Sequence, residues 1–284
     1  MRHILLLVRL IIICVVLSII FGGGYIFLLR SNIPKQYEAG KGADVIARGL
    51  QKAVKRSAWA NTGVIRWSLL GNQHLWDLRR GLVRTRFSDR QAEHEALFDV
   101  DFKRYVVRSK ANSGPKANRW VTLSESEAAP IAQQAKHYWL RDRFILEPSQ
   151  SLFDHGVERY SVKVGKDKKS LLVHYRKGGE HPGDTFLWSI DDNGLPSGIK
   201  VWSEQLLVSG LEIKMDKWRI LKTGLKVSTK RMIGPVEIDI KVSSAMSLTH
   251  LIGRLDPFKG IEGDPFDPPP TSQPNVNLEQ AKQY

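Results

Sequence analysis

Between Ile65 and Val242, apolar and polar residues alternate one by one in stretch after stretch. A period of two commits most of the chain to β-strands. Ile65, Trp67 and Leu69 alternate with Arg66 and Ser68, Val83, Thr85 and Phe87 with Arg84 and Arg86, and Phe98, Val100 and Phe102 with Asp99 and Asp101. The same pattern returns at Tyr160/Val162/Val164, Leu171/Val173/Tyr175 and Phe186/Trp188/Ile190. It is cleanest at Val236/Ile238/Ile240/Val242, set against Glu237, Asp239 and Lys241. One apolar and one polar face per strand predicts antiparallel sheet with one side covered. Turn signals fall between these stretches at Gly71-Asn72, Lys177-Gly-Gly179, Asp192-Asn-Gly194 and Gly234-Pro235.

Two segments break the period. Over Asp44–Arg56, Ile46, Leu50, Ala53 and Val54 recur at helical spacing, with Lys52, Lys55 and Arg56 near the end. A helical insert is expected at about 124–143. Ser124 and Glu127 have capping-box spacing, Pro130 is placed to open a second helical piece, and Ile131, Ala135, Tyr138 and Trp139 fall along one side. From Asp256 onward the chain carries six prolines and few large apolar residues, so 256–284 is expected to be an extended or disordered tail.

Leu10 to Leu29 contains no charge. Twenty helical residues span about 30 Å, the thickness of a hydrocarbon core, so residues 1–30 are read as one N-terminal transmembrane helix and 31–42 as a polar spacer. Leu10–Phe21 followed by Gly22–Gly24 also has the outline of a cleavable signal, but Tyr25–Leu29 continues the apolar run, which favours retention. Arg2 and Arg9 precede the run while Arg30, Lys35, Lys41 and Arg48 follow it, so charge alone leaves orientation open. Long domains translocate largely regardless of charge, and the bulk of the chain is placed on the periplasmic side of the inner membrane.

The formal charge is +14, and the part beyond residue 30 keeps 40 basic residues against 29 acidic ones. Such an excess suits anionic headgroups or simple solubility. Nucleic-acid binding would call for a dense basic stretch with stacking aromatics, and none is present. The single cysteine, Cys14, lies in the apolar run, which excludes disulfides, thiol catalysis and cysteine–zinc sites from the outer domain. No two of the eight histidines stand at metal-ligand spacing, and His94, between Glu93 and Glu95, reads as part of an exposed charged loop in preference to a metal ligand. There is no nucleophile elbow and no phosphate loop, and Asp191-Asp192 precede Asn193-Gly194 as a hairpin turn would. No catalytic residue, metal or cofactor is expected.

Several short pieces together resemble the LolA-like family, which includes the periplasmic lipoprotein carrier and the LppX/LprG-type lipid carriers. They are His74-Leu-Trp-Asp77 with Gly81-Leu-Val-Arg84, Tyr138-Trp-Leu140 with Pro148, Asp154 and Gly156-Val157, Pro182-Gly-Asp184 leading into Phe186-Leu-Trp188-Ser-Ile-Asp191, and Trp218 before Gly224-Leu-Lys-Val227. The resemblance implies an α+β, mainly antiparallel domain over 43–255, built as a curved half-barrel sheet covered by helices. Its cavity would accept acyl chains, with Trp67, Phe98, Phe102, Trp188 and Ile238 as lining candidates and Ile131, Tyr138 and Trp139 as lid candidates. The same residues would equally fill an ordinary core. Asp77 and Asp184 are expected to satisfy turn or strand-end backbone groups. The expected function is non-catalytic binding of lipid or another apolar ligand at the membrane. The alternative is an envelope scaffold with a self-filled half-barrel that docks a protein partner.

Overall fold

The computed structural model describes residues 30–114, 117, 119–164, 168–177, 182–204, 206, 208–253 and 255–261. The apolar run at 10–29, the glycine turn at 178–179 and tail residues 262–284 lie outside the described residues. No helix among the described residues is long and apolar enough to cross a membrane.

Along the chain, strand β1 (Glu38–Ala39) precedes helix α1 (Lys41–Ala53) and a 3-10 turn at Arg56–Asn61. A meander follows: β2 (Val64–Leu69), β3 (Asn72–Asp77), β4 (Leu82–Ser88), β5 (Ala92–Asp99), β6 (Tyr105–Ala111) and β7 (Val121–Thr122). Helix α2 (Glu125–Leu146) and a 3-10 turn at Pro148–Ser151 interrupt it. A second meander then runs through β8 (Val157–Val164), β9 (Lys168–Tyr175), β10 (Thr185–Ile190), β11 (Pro196–Trp202), β12 (Leu211–Ile220), β13 (Lys226–Ile233) and β14 (Val236–Asp239). Strand β15 (Lys241–Ala245) and the short helix α3 (Leu248–Ile252) close the fold.

Mainly antiparallel β-structure is what the alternation calls for, and every pairing between these strands is antiparallel. The strands form two sheets, however, where one curved sheet was expected. The first has the order β15-β2-β3-β4-β5-β6-β7 and the second β1-β8-β9-β10-β11-β12-β13-β14, and neither closes into a barrel. The chain passes between them at Ile240, a buried residue whose N–H donates to the Thr229 carbonyl at 2.8 Å. On one side Val236–Asp239 pair with β13, and on the other Lys241–Ala245 pair with β2. A stretch that reads as one strand thus serves two sheets, because period two records which face is apolar and not which neighbour supplies the hydrogen bonds.

Each sheet turns an apolar face to a helix. On the first, Trp67, His74, Thr85, Ala96 and Val107 stand opposite one another across five strands, beside a row of Ile65, Trp76, Val83, Phe98 and Tyr105. Ala128, Ala132, Ala135 and Trp139 of α2 pack onto this face, and their spacing of four, three and four residues forms one helical stripe. On the second, Val173, Phe186, Val201 and Leu211 form one row, and Leu171, Trp188, Ile199, Ile213 and Ile233 the next. Ala43, Ala47 and Leu50 of α1 cover the β8–β9 end of that face. The chain enters the second sheet at Ser31. Its carbonyl accepts the Trp202 indole N–H at 2.6 Å, and a Cβ on Gly210 (φ 75) would lie 2.2 Å from its hydroxyl.

Four local expectations change. The Ser124 N–H donates to the Glu127 carboxylate at 3.1 Å, as the capping box requires, but α2 runs straight through exposed Pro130 and does not restart there. The carbonyl four residues earlier, which the missing N–H leaves without its helical donor, belongs to exposed Ser126. Strand β5 ends at Asp99, because its carboxylate accepts the Lys103 N–H at 2.7 Å and its carbonyl the Phe102 N–H at 2.8 Å. Phe102 therefore sits in a turn with φ 58. His94 is not in an exposed loop: it is buried on β5, with Nδ1 at 2.7 Å from the Ser109 hydroxyl and Nε2 at 3.0 Å from Asp89. No group of three or more metal-ligating side chains occurs among the described residues.

The fourth change concerns the tail. Asp256 pairs with Arg80 at 2.7 Å, while Phe258 and Ile261 are buried with Val64, Leu75, Leu82 and Leu97 on the outer face of the first sheet. Phe258, 0% exposed and beneath the Arg80 guanidinium at 5.1 Å, is therefore part of the fold. Phe258→Ala is expected to lower the unfolding free energy by about 3 kcal/mol, the usual cost of emptying a buried aromatic site, measured as a shift of the urea midpoint.

Candidate functional site

Seven of the eight candidate ligand residues meet under α2 on the first sheet. Trp67, Phe98 and Trp139 are buried, and Phe102, Ile131, Tyr138 and Ile238 pack around them. Phe98 contacts Trp139 at 5.8 Å and Phe102 at 5.7 Å between ring centroids, and Trp76 meets Trp139 edge-on at 5.5 Å. These rings fill one another's space as core aromatics do. The eighth residue, Trp188, lies in the other core, on the second sheet.

At the centre of the first core is a polar cluster that sequence reasoning did not assemble. Asn72 and His74 project from β3 toward α2, where the Asp142 Oδ2 accepts from Asn72 Nδ2 at 2.9 Å and from His74 Nε2 at 2.9 Å. Arg141 Nε donates to Oδ1 of the same carboxylate at 2.8 Å. His74 Nδ1 then accepts from the Thr85 hydroxyl at 3.1 Å, and Trp67 stacks on the imidazole at 4.8 Å. Burial works to raise the Asp142 carboxyl, but the bonds from His74, Arg141 and Asn72 outweigh it and hold it below the usual carboxylate range. Burial lowers the His74 imidazole, only partly offset by Asp142, so the ring is neutral. Thr85, His74 and Asp142 have the connectivity of a nucleophile–base–acid triad. Thr85 and His74 are buried beneath α2, Asp142 is buried on the helix itself, and Trp67 stacks on the ring. What the cluster does is hold α2 to β3.

The open site lies on the second sheet. α1 covers only its β8–β9 end, and the last turns of α2 stand over β10, with Phe144 against Phe186 at 5.0 Å. Between α2 and β10–β13 a cleft of about 460 Å³ remains. Leu140, Phe144 and Ile145 line it from the helix, and Val201, Leu211, Ile213, Met215 and Ile233 from the sheet. Leu211, Ile213 and Ile233 are only half-buried, and Leu206 at the rim is 37% exposed. A larger recess of about 860 Å³ beside β1 is lined by Lys35, Glu38, Lys41 and Lys163 together with Tyr37, Val45, Ile46 and Val162.

Arg231 forms part of the cleft wall, opposite Met215 and two residues from Ile233 in an otherwise apolar register. Its Nη2 donates to the Ile145 and Leu146 carbonyls at the end of α2, at 2.8 and 3.2 Å, and its Nη1 to the Ser228 and Lys230 carbonyls at 3.1 and 3.3 Å. Nη1 also donates to the Ser228 hydroxyl, while Nε has no partner. Burial pushes the guanidinium down to about 10, opposed only by the charge of Glu147. Burial in turn pushes the Glu147 carboxyl up, against hydrogen bonds from Ser149. A basic residue on the apolar side of a strand was the available sequence signal for this site.

No protein-family model matches the chain, and no curated protein matches it. Among solved structures it is similar to a DUF1329 family protein from Desulfovibrio piger, at 10% identity and a TM-score of 0.31, over 74% of this chain and 97% of that one. At that TM-score the likeness carries no argument, and the chemistry of the cleft rests on its own residues.

The neutral, buried His74 has a measurable consequence. Its folded-state pKa lies below the unfolded value of about 6.5, so its contribution to stability is complete above that pH and is lost as pH falls below it. Urea unfolding at pH 7.5 and 5.0 should show stability decreasing over this interval, and His74→Gln should flatten the decrease.

Proposed function

We propose that this chain is a membrane-tethered, non-enzymatic domain that binds a lipid or another apolar ligand in the cleft between α2 and the second sheet. The observation that carries this reading is the cleft itself. Its volume of about 460 Å³ falls in the range of about 300–1,000 Å³ typical of small-molecule sites, and apolar side chains in its wall are left partly open. A self-filled core would have closed over Leu211, Ile213 and Ile233. The resemblance of the sequence to LolA-like carriers agrees with an acyl-chain ligand. The binding surface differs from the one that resemblance implies, since most of the candidate lining residues pack the neighbouring core.

The tether is the uncharged run Leu10–Leu29, with the domain on the extracytoplasmic side of the cytoplasmic membrane. A reporter active only outside the cytoplasm, fused after residue 40, should be active; an inactive fusion with an active cytoplasmic counterpart would reverse the orientation.

A second reading, a scaffold that docks an acidic partner, is favoured by one surface. Arg66, Arg84, Arg86, Arg108 and Lys110 extend from the outer face of the first sheet. Trp120 is ringed by Arg86, Arg108 and Lys110 at 5.8, 5.9 and 5.3 Å. Arg86 and Arg108 share the buried Glu95, while Arg66 and Arg84 have no ion pair among the described residues.

Native mass spectrometry of the purified protein should retain lipid or take up a fluorescent fatty acid, and Ile213→Glu should abolish this by placing a charge in the cleft wall. Absence of any retained or acquired ligand in the wild-type protein would remove the first reading. Loss of an envelope partner in Arg66→Glu/Arg84→Glu, with lipid uptake intact, would support the second.

A further inference from the structure

We propose that the ligand of this cleft is a long-chain carboxylate whose headgroup pairs with Arg231. The inference rests on the reading of the cleft as an apolar ligand site and names the chemistry at one end of that ligand.

Arg231 is 1% exposed and stands on the sheet side of the cleft beside Leu211, Ile213, Met215 and Ile233, while Asp184 is the carboxylate that lines it. Every partner of its guanidinium is a neutral oxygen: four main-chain carbonyls and the Ser228 hydroxyl. No carboxylate stands within 4.0 Å of it among the described residues, and Nε carries no hydrogen bond at all. Glu147, the acid whose charge it feels, already accepts the N–H and hydroxyl of Ser149 and is itself driven toward its neutral form by burial. Around the rim, Arg141 is committed to Asp142. A buried cation without a direct carboxylate partner is an unfavourable arrangement, and Glu147 offsets it only through its charge at a distance, without a hydrogen bond to the guanidinium.

An apolar ligand with an anionic head would complete this arrangement. Its chain replaces water against the half-buried leucine and isoleucines, while its head supplies the missing charge and the acceptor for Nε. The modest volume favours one chain with a compact head over a multi-chain phospholipid, and a carboxylate matches a single guanidinium.

Equilibrium dialysis with oleate, oleyl alcohol and oleoyl lysophosphatidylcholine, below their micellar concentrations, separates the outcomes on the full-length wild-type protein. Oleate should bind about tenfold or more tightly than the alcohol, the increment of a charge-assisted contact. Arg231→Met should bring the oleate-to-alcohol affinity ratio down to about one, and Arg231→Lys should keep part of the preference. Equal binding of oleate and alcohol to the wild type would overturn this inference and leave the cleft reading standing. Tighter binding of the lysolipid than of oleate would overturn it as well. Binding of none of the three would remove both. The wild-type comparison stands by itself if the Met variant fails to fold.

Discussion

A single buried carboxylate, Asp142, holds the helix on which both cores depend. It accepts hydrogen bonds from Asn72 and His74 on β3 and from its neighbour Arg141, so α2 is bound to the first sheet near its C-terminal end by buried hydrogen bonds. Three residues further along, the helix leaves that sheet and stands over the second, where Arg231 donates to its terminal carbonyls. A cation at a helix C-terminus is favourable both for the dipole and for the carbonyls left without partners. The position of α2 is thus set from two sheets at once.

What the helix presents along its length explains why one sheet is closed and the other open. Toward the first sheet it offers Ala128, Ala132 and Ala135, small enough to bring its backbone close, with Trp139 filling the space between Phe98 and Trp76. Toward the second it offers Phe144, while Leu140 and Ile145 pack against the first core and also line the cleft. α1 reaches only the far end of that sheet. The cleft is the space that neither helix covers. Two of the buried charges differ: Asp142 is supplied with donors from three side chains, whereas Arg231 has only neutral acceptors and keeps an unpartnered, buried Nε.

Much of the local structure was legible because alternation and helical spacing are properties of adjacent residues. The strands at 64–69, 82–88, 171–175 and 185–190, the helix with Ala47 and Leu50 on its buried side, and the cap at Ser124 all follow from short-range patterns. The errors lie where a side chain competed with the ladder. Asp99 ended β5 by capturing turn amides, and Phe258 drew six residues of a proline-rich segment onto the first sheet. The clustering of Trp67, Phe98, Trp139 and Ile238 was also legible, since large apolar residues in strand and helix registers must meet somewhere.

By itself, the sequence determined the antiparallel β class, the two covering helices and the absence of cysteine from residues 31–284. Each of these depends on composition or on periods of two and 3.6. Only the tertiary structure decided that the strands divide at Ile240 into two sheets, that His74, Thr85 and Asp142 form one network across 68 residues of chain, and that Arg231 stands in the wall of an apolar cleft. Those outcomes depend on which segments far apart in sequence share a boundary. A residue pattern records which side of a strand avoids water, and leaves unsaid what covers it.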